Sequence, residues 1–428
     1  MTEPRGRSHR LDPGHLDADA RPILDADQPA PSPVRASMLR LAERFRPADA
    51  RGVEATWVIA VRGHTPYTIH VRDGRCLISP GEVPRPSAKL RTTPETWLAM
   101  VSGRVDGLSA FMQGDLEIEG DLHLAVRLET MFTPGSEATR LVRAAHTRVR
   151  GMEIESLVVG HGTPVLLLHG LAANKLSFVP TLDGLSDRYE VHALDLPGFG
   201  RSDKPLPHGK RYSPAWMASV IRGYLNHNGI REAYLVGNSM GGRIATETAL
   251  RYPRMVRGLV TLGSAVAFDE WQPYGRILRS IRGQWLGLAS VPLKLDWIES
   301  AMTEMLFHDP SAIPAANMRA GAEDVLQSFG DRRYRLAVMA AARHLIGERA
   351  EGKGGYWSKL CDLQVPSYWV WGRRDRLVSY RYADRVRECL PHAQVEIWDN
   401  IGHVPQFEAP ERTTGAIAQF LARIEAGH

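Results

Sequence analysis

Residues 233–252 read AYLVGNSMGGRIATETALRY, and the change of texture along them decides the fold. Four residues suited to a buried strand run into Gly237-Asn238-Ser239-Met240-Gly241-Gly242, and a helical pattern begins at once. A serine placed at a sharp strand-to-helix turn needs small residues two before and two after it, because strand, helix and side chain crowd together there. Gly237 and Gly241 meet that demand. The turn lifts the hydroxyl clear of the backbone, so Ser239 is the candidate nucleophile.

Acyl chemistry at such a serine needs donors for the oxyanion that develops on the substrate. The backbone N–H of Met240 is one. The second is expected from Leu171, which follows the strand-ending pair His169-Gly170 in PVLLLHGLAANKLSF (164–178). That loop offers its backbone, and the side chain of His169 reads as structural. A serine hydroxyl also needs a base, and the base a carboxylate to orient it, in the chain order serine, acid, histidine. His403, in DNIGHVPQFEAPE (399–411) after an apolar strand, is the candidate base. Asp375, in GRRDRLV (372–378) after SYWVW, is the candidate acid, with Asp269, at the end of GLVTLGSAVAFD (258–269), as a rival.

Outward from these segments, near-continuous apolar runs at 165–168, 190–194, 233–236, 258–262, 367–371 and 394–398 alternate with helical stretches. That texture suits a mostly parallel sheet covered on both faces. The alternation breaks between 267 and about 352 into an α-rich insertion. HGLAANKLSF, ALDLPGFGRSDKP, LVGNSMGGRIA, WGRRDRLV and NIGHVPQFEAPE together resemble the α/β-hydrolase family, over about 153–426. The resemblance implies an α/β-hydrolase fold, makes the insertion an α-helical cap over the site, and assigns Asp195 and Ser202 to a structural turn. Relatives that open epoxides or carbon–halogen bonds carry Asp at the elbow where this chain has Ser239, so ester hydrolysis through a Ser-His-Asp acyl-enzyme is the favoured reaction. GNSMGG also resembles the elbow of hydrolases that cleave carbon–carbon bonds in ring-cleavage products. Those enzymes have a Gly-rich loop where LAAN stands here, and usually Trp at the place of Val404, which ranks that reading second.

Upstream, residues 36–45 have helical spacing, and 56–61, 67–71, 75–79 and 88–92 are short runs rich in Val, Ile, Thr and Tyr, separated by turn signals. They predict a small antiparallel sheet. Helices are expected from Pro94 to Gly103, over Gly107 to Gln113 and over Leu122 to Phe132, with a strand at 115–119. TPETWLAMVSGRVDGLSAFMQGDLEIEGDLHLAVRLETMF (93–132) resembles the sterol carrier protein 2 (SCP2) family, AFMQGDLEIEGD being its most specific piece. Membership implies a smaller α+β domain with an apolar tunnel for a sterol, a fatty acid or an acyl-CoA. Phe111, Met112, Leu128 and Phe132 are the candidate lipid contacts, and core residues on the plainer reading. A lipid-binding or lipid-transfer protein carrying a non-catalytic hydrolase-like module is the reading from another class.

The expected organisation is a disordered leader over 1–34, an SCP2-like domain over 35–145, and a hydrolase domain over 150–428 with its cap at about 267–352. The 53 Lys and Arg against 48 Asp and Glu give a net charge of +5, too mild to forecast a nucleic-acid partner. Cys76, Cys361 and Cys389 are widely spaced, which indicates neither a disulfide framework nor a thiolate metal site, and no metal or cofactor is called for. Without an apolar leader or a membrane-length apolar run, a cytoplasmic protein is expected. Arg276, Arg279 and Arg282 alternate with Ile277, Leu278, Ile281, Trp285 and Leu288, a pattern that suits the inner face of a cap or weak peripheral contact with a membrane.

Overall fold

A computed structural model describes residues 32–133, 142–266 and 294–427, so the expected leader lies almost wholly outside the described residues. The first stretch runs α1 (Pro33–Glu43), β1 (Ala55–Val61), β2 (Tyr67–Arg72), β3 (Arg75–Pro80), β4 (Ala88–Thr92), α2 (Pro94–Ser102), α3 (Gly107–Gln113), β5 (Leu116–Gly120) and α4 (Leu122–Thr130). Ser32, Thr93, Asp106 and Asp121 cap the four helices, each accepting a backbone N–H three residues on. Asp73 and Gly74 both take positive φ, the geometry of a two-residue hairpin between β2 and β3.

The five strands pair in the order β3-β2-β1-β4-β5. The expectation of an all-antiparallel sheet is corrected at one seam, since β1 and β4 run parallel, with Trp57 opposite Ala88. The connecting GEVPRPS cannot fold back as a hairpin strand through its two prolines, and it crosses to the free edge of β1. There Thr56 N donates to Ser87 Oγ at 3.0 Å and starts the new pairing. Trp57 is fully buried, and its indole N–H donates to Leu124 O at 2.9 Å, which pins α4 across the sheet. A cavity of about 400 Å³ remains between helices and sheet, lined among others by Trp97, Leu108, Phe111, Leu128, Glu129 and Phe132. Met112 is not in its wall. Burial, with Asp106 nearby, pushes the Glu129 carboxyl up to about 7.

The rest of the chain builds an eight-stranded sheet. Its elements are β6 (Arg143–Val149), β7 (Met152–Gly160), β8 (Thr163–Leu168), α5 (Val179–Leu185), β9 (Tyr189–Leu194), α6 (Pro214–His227), β10 (Ala233–Asn238), α7 (Met240–Arg251) and β11 (Val256–Leu262). The described part of the insertion is helical: α8 (Leu295–Leu306), α9 (Ala315–Gly330) and α10 (Arg332–Ile346). After it come α11 (Tyr356–Leu360), β12 (Ser367–Gly372), α12 (Tyr382–Cys389), β13 (Gln394–Trp398), α13 (Pro405–Glu408) and α14 (Pro410–Ala426). The order is β13-β12-β11-β10-β8-β9-β7-β6, antiparallel only at β9-β7-β6. All six expected strands are present. The two further strands are β6, half-exposed at the sheet edge and without an apolar run, and β7 beside it, whose apolar run is the short Leu157-Val158-Val159. Because β6 belongs to this sheet, the second domain begins earlier in the chain than the expected boundary.

The reading of the cysteines needs correction, because the structure joins Cys361 to Cys389, 28 residues apart, with Cα atoms 4.4 Å from each other. The ends of α11 and α12 bring them together, a tertiary packing that sequence spacing does not encode. Cys76 is unpaired, and burial raises its thiol to about 12.

Two buried charge clusters fasten insertion and domains to the sheet. Arg243, 1% exposed on α7, donates to Glu348 Oε1 at 2.5 Å and Glu247 Oε2 at 2.9 Å, anchoring the end of the insertion behind the elbow. Lys175, 2% exposed, donates to Asp195 Oδ2 at 2.6 Å, to Glu155 Oε1 at 3.0 Å and to His123 Nδ1 of α4 at 3.2 Å. Burial alone would strip the proton from this ammonium, but Asp195 and Glu155 outweigh it and hold its pKa above the ordinary value. Lys175→Met leaves two buried carboxylates unpaired and should cost about 3–5 kcal/mol. Guanidinium unfolding of the full chain, read by tryptophan fluorescence, measures it.

Candidate active site

Ser239 sits at the carboxyl end of β10, in the middle of the sheet, with φ 53° and ψ −118°, a conformation that side chains rarely adopt. The neighbours explain how it is held. Ser239 N donates to Leu262 O at 3.0 Å, and Ser239 O accepts from Ala265 N at 3.0 Å. Space is as tight as the sequence spacing implied: a Cβ on Gly241 would lie 1.9 Å from Leu168 O, and one on Gly237 2.4 Å from the Gly241 carbonyl carbon. The loop after β8 presses on the same turn, with the Cβ position of Gly170 only 3.4 Å from Ser239 Cβ.

Both expected oxyanion donors border this turn. Met240 opens α7, so its N–H is one of the donors a helix leaves without an internal acceptor, at the positive end of the helix dipole. The N–H of Leu171 has no backbone acceptor among the described residues. The next residue, Ala172, takes φ 59° and its carbonyl accepts from Tyr334 Oη at 2.8 Å, which ties the loop to α10. His169 is fully buried; its Nε2 accepts from Leu196 N at 3.0 Å and its Nδ1 contacts Gly170 O at 2.7 Å, in keeping with the structural role expected of it.

The expected acid and base meet. Asp375 Oδ2 lies 2.8 Å from His403 Nδ1, with side-chain exposures of 0% and 4%. The other carboxylate oxygen accepts from Leu377 N and Val378 N, each at 2.8 Å, so every side of the buried charge is compensated. Gly263 approaches the pair so closely that a Cβ there would stand 3.1 Å from Asp375 Oδ2 and 3.2 Å from His403 Nδ1. No hydrogen bond joins Ser239 Oγ to His403 among the described residues. The rival acid, Asp269, and the Arg276–Leu288 stretch lie outside the described residues.

Two positioning groups went unread in the sequence. Asn238, beside the serine, donates its amide to Leu262 O at 2.9 Å and to His403 O at 3.0 Å, so the elbow itself holds the histidine loop. Glu408 accepts from Gly402 N at 2.7 Å, His308 N at 2.8 Å and Asp309 N at 3.1 Å, closing that loop against the chain after α8. His403 N in turn donates to Leu306 O at 2.7 Å, the last residue of α8. Asn238 fills an unspecified position of the G-x-S-x-G pattern, and the partners of Glu408 are backbone groups, so neither carried a sequence signal. The described residues contain no group of three or more His, Cys, Asp or Glu that could hold a metal, and no helix long and apolar enough to cross a membrane.

Two family models match separate parts of the chain. Residues 163–410 match the family model for the alpha/beta hydrolase fold, and residues 38–133 match that of the SCP-2 sterol transfer family. An uncharacterized hydrolase, YugF, of Bacillus subtilis (strain 168) is 28% identical over 265 residues, 60% of this chain and 89% of that protein. A 2-hydroxy-6-oxononadienedioate/2-hydroxy-6-oxononatrienedioate hydrolase of Paraburkholderia phymatum is 28% identical over 267 residues, 60% of this chain and 87% of its own. Among solved structures, a membrane phospholipase A described as a bacterial virulence factor superposes with a TM-score of 0.56 at 26% identity, covering 66% of this chain and 87% of that one.

The crowding at the elbow and the burial of His169 each have a measurable consequence. Gly241→Ala drives a methyl into Leu168 O and should cost about 3 kcal/mol or more, visible as a lowered unfolding midpoint. Burial holds the His169 pKa at about 4 against an ordinary 6.5. Between those values the unfolded chain binds a proton that the folded chain refuses, so stability falls as pH drops from about 6.5 to about 4, at up to about 1.4 kcal/mol per pH unit, and levels off below. Denaturant titrations from pH 7.5 to 3.5 should show a shallower slope in His169→Asn.

Proposed function

Since the chain belongs to the alpha/beta hydrolase fold family, we propose that it is a serine hydrolase that cleaves a lipophilic carboxylic ester through an acyl-enzyme. The observation that carries this reading is the buried Asp375–His403 pair, 2.8 Å apart, beside a serine held at positive φ between strand and helix. His403 Nε2 takes the proton of Ser239 as its oxygen attacks the ester carbonyl. Asp375 holds the other ring nitrogen and favours the imidazolium that forms. The charge on the carbonyl oxygen falls to the N–H groups of Leu171 and Met240. Collapse of this intermediate expels the alcohol, which leaves with the proton from His403. Water then attacks the acyl group, gives its proton to His403, and the acid departs as Ser239 recovers its hydrogen.

The SCP2 domain supplies the lipophilic character of the substrate in this reading. Its cavity of about 400 Å³ falls in the range of small-molecule sites, and Phe111, Leu128 and Phe132 are three of its walls. A sterol, a fatty acid or an acyl chain is held there and presented to the neighbouring hydrolase.

A second reading, hydrolysis of a carbon–carbon bond in a ring-cleavage product, is favoured by the GNSMGG elbow and by the Paraburkholderia relative. Against it, Val404 packs on Phe307 and Met318 where those enzymes usually place Trp. A panel of p-nitrophenyl acylates graded by chain length, run beside a ring-cleavage dienoate, separates the two. Ser239→Ala should lower acylate turnover by at least about 10⁴-fold and Asp375→Asn by about 10⁴-fold. Retained turnover in Ser239→Ala, or failure of the wild-type chain to take a fluorophosphonate label, would overturn the serine mechanism.

A further inference from the structure

The loop that carries Leu171 is held from three directions, and one of them is the other domain. Lys175 N donates to Asp195 Oδ1 at 2.7 Å, which fixes the end of the loop to the sheet. Asn174 Nδ2 donates to Asp324 Oδ2 of α9 at 2.7 Å. The second oxygen of Asp324 lies 3.3 Å from Nε2 of His123, whose Nδ1 receives the Lys175 ammonium. An ammonium can only donate, so Nδ1 is the acceptor and the ring proton sits on Nε2, facing Asp324. Imidazole thus spans the two side chains that clamp residues 174 and 175. His123, Lys175 and Asp324 are all more than nine-tenths buried. Two further contacts seat the same surface: Asp121, the cap of α4, pairs with Arg201, and Asn317 Nδ2 of α9 donates to Phe111 O at 2.6 Å.

We propose that His123, contributed by the SCP2 domain, is a positioning residue of the hydrolase, holding Asp324 and Lys175 so that the Leu171 N–H meets the developing oxyanion. The hydrolytic site is then complete only with the other domain docked, even for substrates too small to use its cavity. This rests on the serine-hydrolase reading above. Because the oxyanion donor acts on the transition state, the loss appears in kcat and not in KM.

The test uses the full chain and p-nitrophenyl acetate, whose acyl group needs no lipid site. His123→Ala should lower kcat by about 10- to 100-fold, the scale of a misplaced catalytic group, with KM changed less than about threefold. His123→Gln, whose amide can accept from Lys175 and donate to Asp324, should restore most of it. Hydrogen–deuterium exchange of the peptide spanning 170–176 gives a readout independent of catalysis, expected to quicken in His123→Ala and return toward wild type in His123→Gln. If His123→Ala only lowers the unfolding midpoint, with kcat and loop exchange unchanged, the contact is structural and the proposal is overturned. A wild-type chain without Ser239-dependent turnover overturns the hydrolase reading instead, while loop exchange still decides whether His123 holds the loop.

Discussion

One buried ammonium governs the architecture. An isolated lysine at the position of Lys175 would be neutral or in water, because the interior solvates a charge poorly. Here Asp195 and Glu155 hold it charged, His123 accepts from it, and Asp324 stands against the far nitrogen of that imidazole. Asp195 comes from the turn after β9, Glu155 from β7, Asp324 from the insertion and His123 from the other domain. The demand that one charge be fully compensated therefore dictates where four separate segments stand. Carboxylates outnumber cations in this cluster, which is why Arg201 is drawn in beside Asp121. Despite burial, Arg201 keeps that carboxyl below the usual carboxylate range.

The elbow obeys a different constraint, volume. Gly237, Gly241 and Gly242 each face neighbours too close for a methyl group, so the spacing of small residues around Ser239 follows from the path of the chain. The strained φ at Ser239 is maintained by backbone bonds on both sides, to Leu262 and Ala265. Asn238 then passes that rigidity on to the loop of His403. Serine and histidine lie 164 positions apart in sequence, yet the amide side chain next to the serine bonds the histidine's own carbonyl.

Steric demands and unbroken apolar runs are legible from residue types alone, which is why the six central strands, the elbow and the order Ser239, Asp375, His403 stand out in the sequence. What escaped reading depends on partners distant in the chain. The edge strand β6 carries no apolar run because one of its faces is wet. The parallel seam between β1 and β4 depends on where a proline-bearing connection crosses. Lys175 looks like an ordinary polar residue in HGLAANKLSF, and His123 like one more surface histidine on an amphipathic helix. Their meaning is a meeting of charges, and no local pattern records it. Met112 shows the same limit from the opposite side: it follows Phe111 in one apolar run, but a helix turns each residue about 100° from the last, and the cavity wall takes only Phe111.

The seam between the domains also carries a schedule. Phe111 and its partner Asn317 are 206 residues apart in the chain, and His123 waits almost as long for Asp324. At the roughly 5–20 residues per second of protein synthesis, the first domain stands finished for about 10–40 s before the helix that seats it has been made. Through that interval Asp121 and His123 face water, where a polar docking surface is soluble and an apolar one would be adhesive. These polar contacts suit a two-domain chain made from its amino end: they stay hydrated through the wait, and the apolar cluster that Leu108 and Phe111 share with Val179, Leu182 and Ala320 dries only when the last partner arrives.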